Sequence, residues 1–453
     1  MTNPFFAELL PALGLPPGTE INVTGVGDMP SAYAVTDLAA ASIGAAGAAV
    51  AAYIDPAAPE SVNVDRRLAS FWFQTTVHPR GWSLPETWDS VAGDYAARDA
   101  WIRLHTNADA HRKAALSVLG VAADRDAVTK AAALWSAQDL EDAVVAAGGC
   151  AAAMRAPEDW AVHPNGAAVA SEPLVHVDTQ PGNAPSASPL DPRRPLQGIR
   201  VLDLTRVLAG PVAGRFLAGY GAEVLRIDPP WWDEPGVLPE VTLGKRRAGL
   251  DLRTAEDRDT LKGLMAQCDV FLHGYRADAL EKLGFGAGDR RMINPGMIDV
   301  CLNAYGWTGP WRDRRGFDSL VQMSSGIAEY GMRRFKVGTP TPLPAQALDH
   351  ATGYFMAAAV VRGLTLRRMT GDTTTARLSL SRTARLLVDH ISEDENTSIA
   401  PVTSKDLMIA VEATGWGAAS RTRFPLEIPG CPVAWDYPAG PLRTSPPTFM
   451  EPA

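Results

Sequence analysis

Cysteine is scarce. The 453 residues contain four, Cys150, Cys268, Cys301 and Cys431, far apart and with no CxxC pair. That spacing excludes a disulfide framework and a cysteine-rich zinc site, and free thiols fit a reducing, cytoplasmic setting. An excess of basic residues is also missing: 42 Lys and Arg face 51 Asp and Glu, a formal net charge of −9, so no global footprint for nucleic acid exists. The first residues, MTNPFFAELLPALG, have no basic segment followed by a long apolar core, so no secretory leader is expected there. The run LAAASIGAAGAAVAAYI at 38–54 is mostly Ala and Gly, and short of the roughly 20 strongly apolar residues of a span. It reads as a buried helix, and no membrane partner is expected.

The familiar catalytic and nucleotide-binding strings are absent as well. No GxxxxGK[ST], GxSxG or HExxH occurs, and the eight histidines are scattered, which removes the residues of a P-loop enzyme, a serine hydrolase and a zinc protease. No metal is expected. His105 and His111 stand six apart, not on one helical face. In LTRVLAGPVAG, 204–214, the glycines are Gly210 and Gly214, so the GxGxxG fingerprint of a nicotinamide dehydrogenase is not met.

What is present is a soluble-type composition, 46% hydrophobic and 21% charged, on a chain long enough for two or three domains. A Pro/Ser/Gly-rich stretch, DTQPGNAPSASPLDPRRPLQ, reads as a linker over 178–197. Beyond it IRVLDLT, AEVLRID, DVFLHG and MIDVCLNAY read as strands, alternating with helices at GPVAGRFLAGYG and at TAEDRDTLKGLMAQ, which opens on a Thr254/Asp257 capping pattern. Alternation of this kind implies a parallel sheet with helices on its faces. Before the linker, RKAALSVLG, TKAAALWSA and DLEDAVVAAG are short amphipathic helices. The expected fold is α/β: a large parallel-sheet domain over 198–390 and a smaller, mostly helical domain over 76–177. An internal repeat is suggested by residues 32–54 against 344–364, with Asp37 on Asp349, and by Val62 against Ala376; the two offsets are 312 and 314. Residues 1–75 are then a partial repeat packing on the large domain, and 391–453 an extended Pro-rich arm.

Two features carry possible chemistry. Lys245, Arg246 and Arg247 adjoin a short strand; they fit a solvated charged edge or, in a cleft, a phosphate site. Asp349 precedes the long apolar run ATGYFMAAAVVRGL. An Asp there suits an N-cap, and it equally suits a nucleophile, because a helix N-terminus stabilises a carboxylate and offers amides to an oxyanion. Spacing does not choose between the two.

Six ordered stretches between about 195 and 390 choose. PLQGIRVLDLTRVLAGPVAGRFLAGYGAEVLRID, GKRRAGLDL, CDVFLHGYRADALEKLGF, NPGMIDVCLNAYGWTGPW, RGFDSLVQMSSG and ALDHATGYFMAAAVVRGL resemble the class III CoA-transferases, the family of formyl-CoA transferase and carnitine CoA-transferase that also holds alpha-methylacyl-CoA racemase. The resemblance implies a Rossmann-like large domain, coenzyme A esters and a small carboxylic acid as substrates, a homodimer, and Asp349 as nucleophile with Gly353 beside it. It places Val207, Lys245, Arg246, Gly274, Tyr275 and Arg276 near the CoA nucleotide and phosphates. Residues 93–177 resemble the family's small domain, which ordinarily follows the nucleophile segment and here precedes the large domain. Asp37 becomes a vestigial counterpart of Asp349, with Ala41 where Gly353 stands. The chain departs from the family pattern at His273-Gly274-Tyr275, at Trp307, and at DPPWWDEPG, which lacks the expected Arg. The family's racemases carry His before the Asp of the GxD stretch; here Phe317 precedes Asp318, and Phe cannot move a proton. A CoA-transferase is expected, with an acyl-CoA racemase or isomerase and a non-catalytic CoA-binding protein as alternatives.

Overall fold

The structure is a computed structural model describing residues 3–182, 190–275, 278–392 and 397–451. Its centre is a seven-stranded sheet: β1 (His176–Gln180), β2 (Arg200–Leu204), β3 (Glu223–Asp228), β4 (Lys245–Gly249), β5 (Val270–His273), β6 (Ile298–Asn303) and β7 (Thr373–Ser379). The spatial order is β4-β3-β2-β5-β6-β7-β1. Six strands are parallel and β1 pairs antiparallel to β7, with His176 opposite Arg377 and Gln180 opposite Thr373. The chain walks outward from β2 to β4, returns, and walks the other way from β5 to β7. That reversal makes the carboxyl ends of β2 and β5 the topological switch point, where open α/β sheets bind ligands. β2, β3, β5 and β6 are buried along nearly their whole length, as expected of strands covered on both faces. The large domain is thus the Rossmann-like α/β body implied by the sequence.

Strand β1 extends to Gln180, inside the stretch read as linker. HVDTQ has no apolar period to announce a strand; pairing with β7 supplies the backbone partners that its polar side chains do not forecast.

Two long helices pack along each other beneath the sheet: Val35–Ile54 and Ala347–Thr370, the second also against Ala209–Gly219. The Val35–Ile54 helix is apolar and long enough to cross a membrane by length and composition, yet 94% of its hydrophobic window is buried here. Its Ala and Gly content fits close packing: a Cβ on Gly44 or Gly47 would stand 2.6 Å from Ile21 or Leu426. Both long helices begin with nearly the same entry geometry, φ/ψ −73/58 at Ala34 and −76/64 at Gln346. Each is followed by a strand that runs straight into a capped helix: Val62–Asp65 into Arg66–Trp72, and β7 into Leu380–Val388.

Residues 93–153 form a three-stranded antiparallel sheet (Gly93–Ala96, Trp101–Leu104, Ala151–Ala153) with helices Asp109–Leu119, Arg125–Ala132 and Ala137–Ala146 around their own apolar core. The C-terminal stretch is not wholly an extended arm: Gly417–Arg421 pairs with Val77–Pro79 and Leu426–Glu427 with Val62–Asp65, tying both ends of the chain together.

Candidate active site

Asp349 is the third residue of the Ala347–Thr370 helix, and it is not the cap. The cap comes from another element: Oδ2 of Asp318, at the start of helix Asp318–Ser324, accepts the backbone N–H of Leu348 at 2.9 Å and of Asp349 at 3.0 Å. Asp318 Oδ1 accepts from the Gln322 side chain, one turn along its own helix. A carboxylate in trans therefore satisfies the two amides that an N-cap side chain ordinarily binds. The Asp349 carboxylate is left with no hydrogen-bond donor among the described residues, while the residue is only 6% exposed.

Electrostatics follow from that arrangement. Burial, reinforced by the nearby Asp318 charge, pushes the Asp349 carboxyl well above the ordinary carboxylate range. Burial raises Asp318 to about 6, against the lowering effect of its hydrogen bonds to Gln322 and the two amides. Two acids so close do not both ionise readily, and they titrate as a pair. His350 is no base for them: burial, with Arg215 adding to it, pushes its imidazole well below the usual value, and the ring stacks on Phe73 at 4.9 Å.

Gly353 follows Asp349 by one turn and serves packing. A Cβ there would lie 2.3 Å from the Ala209 carbonyl oxygen and 2.8 Å from Val212, so its absence lets helix Ala209–Gly219 approach the nucleophile helix. The turn into that helix is made by Val207, at φ +64, whose N–H is held by Glu234 at 2.9 Å. An αL conformation at a β-branched residue is strained, and here it lies at the carboxyl end of β2.

At the Asp37 counterpart the geometry differs. The Asp37 carboxylate pairs with Arg66 at 2.8 Å, and Arg66 also holds Asp28 at 2.6 Å. A paired carboxylate is a poor nucleophile, whereas Asp349 faces no cation.

Beside Asp349 a cavity of about 500 Å³ is lined by Asp318 and His350, by Leu208 of the β2 turn, and by Trp88 and Arg103 from the preceding domain. An adjoining cavity of about 210 Å³ shares Trp88 and Gly236 with it and runs to Val207, Trp232 and Glu234. Together they connect the switch point to the nucleophile. At the switch point Arg206 lies 4.9 Å from the ring centres of both Trp232 and Tyr275, donates Nη2 to the Tyr275 hydroxyl at 2.6 Å, and keeps its buried Nε without an acceptor. Reading the sequence did not single out Arg206; its place directly after a strand opening a parallel α/β unit is the signal that could have found it.

The other predicted CoA-contacting residues divide. Val207, Gly274 and Tyr275 meet the crevice at the ends of β2 and β5. Lys245 does not: it is fully buried, its ammonium 2.8 Å from Asp203, and burial pulls it down to about 8. The strand alternation turns it inward under Gly214, where a Cβ would touch both members of the pair, so it is a core ion pair and not a phosphate ligand. Arg246, on the opposite face of β4, is held by Glu223 at 2.8 Å and the Thr448 carbonyl. Arg226, a further cation of this half of the sheet, is likewise committed, to Asp228 and Glu234. Arg276 lies outside the described residues. Phe317 is stacked on His105 at 3.8 Å, and burial holds that imidazole near 3, so the preceding domain does not restore the missing proton-transfer partner.

Residues 196–409 match the model of CoA-transferase family III, and this part of the chain belongs to that family. The probable fatty acyl-CoA transferase Rv3272 of Mycobacterium tuberculosis is 36% identical over 201 residues, 40% of this chain and 49% of that protein. Succinyl-CoA–D-citramalate CoA-transferase of Chloroflexus aurantiacus is 32% identical over 200 residues, 40% and 48% of the two chains. Succinyl-CoA:glutarate CoA-transferase of Mus musculus is 30% identical over 254 residues, 53% and 55%. A crystal structure of Rv3272 aligns at a TM-score of 0.39 with 34% identity, over 42% of this chain and 56% of that one. The chain spans about half the length of the curated relatives it matches.

Proposed function

We propose that the protein is a CoA-transferase that moves CoA from an acyl-CoA to a carboxylic acid through an aspartyl-CoA thioester on Asp349. The observation that carries this reading is the Asp349 carboxyl itself: buried at the head of a core helix, relieved of capping by Asp318, unpaired with any cation, and adjoining a cavity that leads to the sheet's switch point. As a carboxylate, one Asp349 oxygen attacks the thioester carbonyl, the C–S bond breaks, and an acyl-aspartyl anhydride and CoA thiolate result. The thiolate attacks the aspartyl carbonyl; the free acid leaves carrying that oxygen, and Asp349 becomes the CoA thioester. The acceptor carboxylate repeats the sequence in reverse, restoring Asp349. The acyl group stays activated at each stage, the advantage of covalent catalysis, provided water is kept out.

This chain supports each requirement. The amides of Leu348 and Asp349 are engaged by Asp318, so they are not the oxyanion donors in the resting site; the N-terminus of helix Ala209–Gly219, brought against Gly353 by the Val207 turn, is placed to supply them. Arg206, framed by Trp232 and Tyr275, suits a phosphate or adenine of the CoA substrate. The relatives named above as CoA-transferases support the same class of activity. Phe317 and the neutral His105 argue against proton-transfer racemisation.

Intact-protein mass spectrometry after incubation with a panel of acyl-CoAs tests the reading. A CoA-sized adduct on the Asp349 peptide, absent from Asp349→Ala and from the Asp37 peptide, is the expected result, with transfer in Asp349→Ala lowered by at least about a thousandfold. Turnover without such an adduct contradicts it.

A further inference from the structure

The end of the cavity opposite the nucleophile helix is formed by Arg103, on strand Trp101–Leu104 of the preceding domain. Its side chain is 13% exposed, and its donors are incompletely used. Nη1 donates to Asp94 Oδ1 at 2.8 Å. Nε is buried with no acceptor, and Nη2 makes no hydrogen bond among the described residues. Trp88 covers one face of the guanidinium, 4.8 Å from its ring centre, and is itself a wall of the cavity. Native structures rarely leave a buried guanidinium N–H unpaired. Nε and Nη2 together form the side of the fork that binds a carboxylate through two parallel hydrogen bonds.

Nothing else on the cavity wall satisfies those donors. Gln322 is spent on Asp318 and on the Leu343 amide. Glu240 is bound by Thr76, Val77 and Arg215. Asp94 neutralises the charge of Arg103 without filling its second edge, which leaves a site selective by geometry as well as by charge.

We propose that Arg103 is the carboxylate-recognising residue of this cavity, and that the acids exchanged at Asp349 are dicarboxylic, one carboxylate held by Nε and Nη2 of Arg103 and the other presented to Asp349. The inference rests on the transferase reading for the fate of the second carboxylate; recognition of the first is independent of turnover. A monocarboxylic acid of the same length leaves the Arg103 edge unpaired, and a site built for a hydrogen-bonding group discriminates strongly against an analogue lacking it.

The test uses the whole chain and two readouts. Binding of free glutarate and butyrate is measured by titration calorimetry, and Asp349 adduct formation is followed with glutaryl-CoA and butyryl-CoA. Wild type is expected to bind glutarate at least about tenfold more tightly than butyrate. Arg103→Gln abolishes that preference while still forming the adduct from butyryl-CoA. The double variant Asp94→Asn/Arg103→Gln removes both charges of the ion pair, so retained folding with lost glutarate preference assigns the effect to recognition. Equal binding of the two acids by wild type, or an unchanged preference in both variants, overturns the proposal. Arg103-dependent glutarate binding without an adduct from any thioester upholds this site and removes the transfer chemistry instead.

Discussion

One carboxylate sets the state of another. Asp318 caps the helix on which Asp349 sits, and its charge adds to the burial that raises the Asp349 carboxyl. Adduct formation requires the Asp349 carboxylate, so its rate should rise with pH along a limb above the ordinary carboxylate range. Asp318→Asn removes the like charge and is predicted to move that limb to lower pH; burial, the larger cause, remains, so the limb stays above that of an exposed Asp. Single-turnover rates across pH check this. Stability moves oppositely to the usual acid case. Asp318 in the folded state is raised to about 6, so its favourable contribution is complete below the unfolded carboxylate value and is lost as pH rises through about 6. The site therefore stores destabilisation at neutral pH, as nucleophiles held in dry surroundings do. Asp349 could be found in the sequence but its cap could not. ALDHATG and GFDSL lie 30 residues apart, and no local pattern says which Asp accepts the helix amides.

At the scale of elements, the close contact of the nucleophile helix with Ala209–Gly219 depends on a missing side chain. Gly353→Ala puts a Cβ at 2.3 Å from the Ala209 carbonyl, a backbone atom that cannot swing aside. The predicted cost is about 1–3 kcal/mol by urea denaturation, with slower adduct formation as the Val207 turn is displaced. The strands and helices of the large domain were legible because buried parallel strands are short apolar runs and because Thr254 caps its helix as its spacing implied. β1 was not legible, since its place depends on β7, some two hundred residues away. Lys245 misled for a similar reason: a KRR string looks like a solvated edge, but alternation on β4 sends its first member inward to Asp203. The Val35–Ile54 helix and the Ala347–Thr370 helix share entry geometry and following elements, yet Arg66 neutralises Asp37 while Asp349 remains without a cation. That difference assigns the chemistry to Asp349.

Across the whole molecule, three stretches far apart in sequence meet at one cavity: Phe73 and Gln74 from the first part, Trp88 and Arg103 from the next domain, and Asp318 with His350 from the large domain. A domain placed ahead of the sheet in sequence thus still closes over the carboxyl ends of its strands, within one chain. The reach from Arg206 at the switch point to Arg103 at the far wall gives the CoA substrate and the exchanged acid separate ends of one cleft. The account's central claim is that Asp349 itself carries the exchanged oxygen. Turnover with an acceptor acid labelled with oxygen-18 in its carboxylate, followed by mass analysis of proteolytic peptides, tests this most directly. The account predicts heavy oxygen in the Asp349 carboxyl and not in the Asp37 or Asp318 peptides. Full turnover with no label in the Asp349 peptide would contradict it.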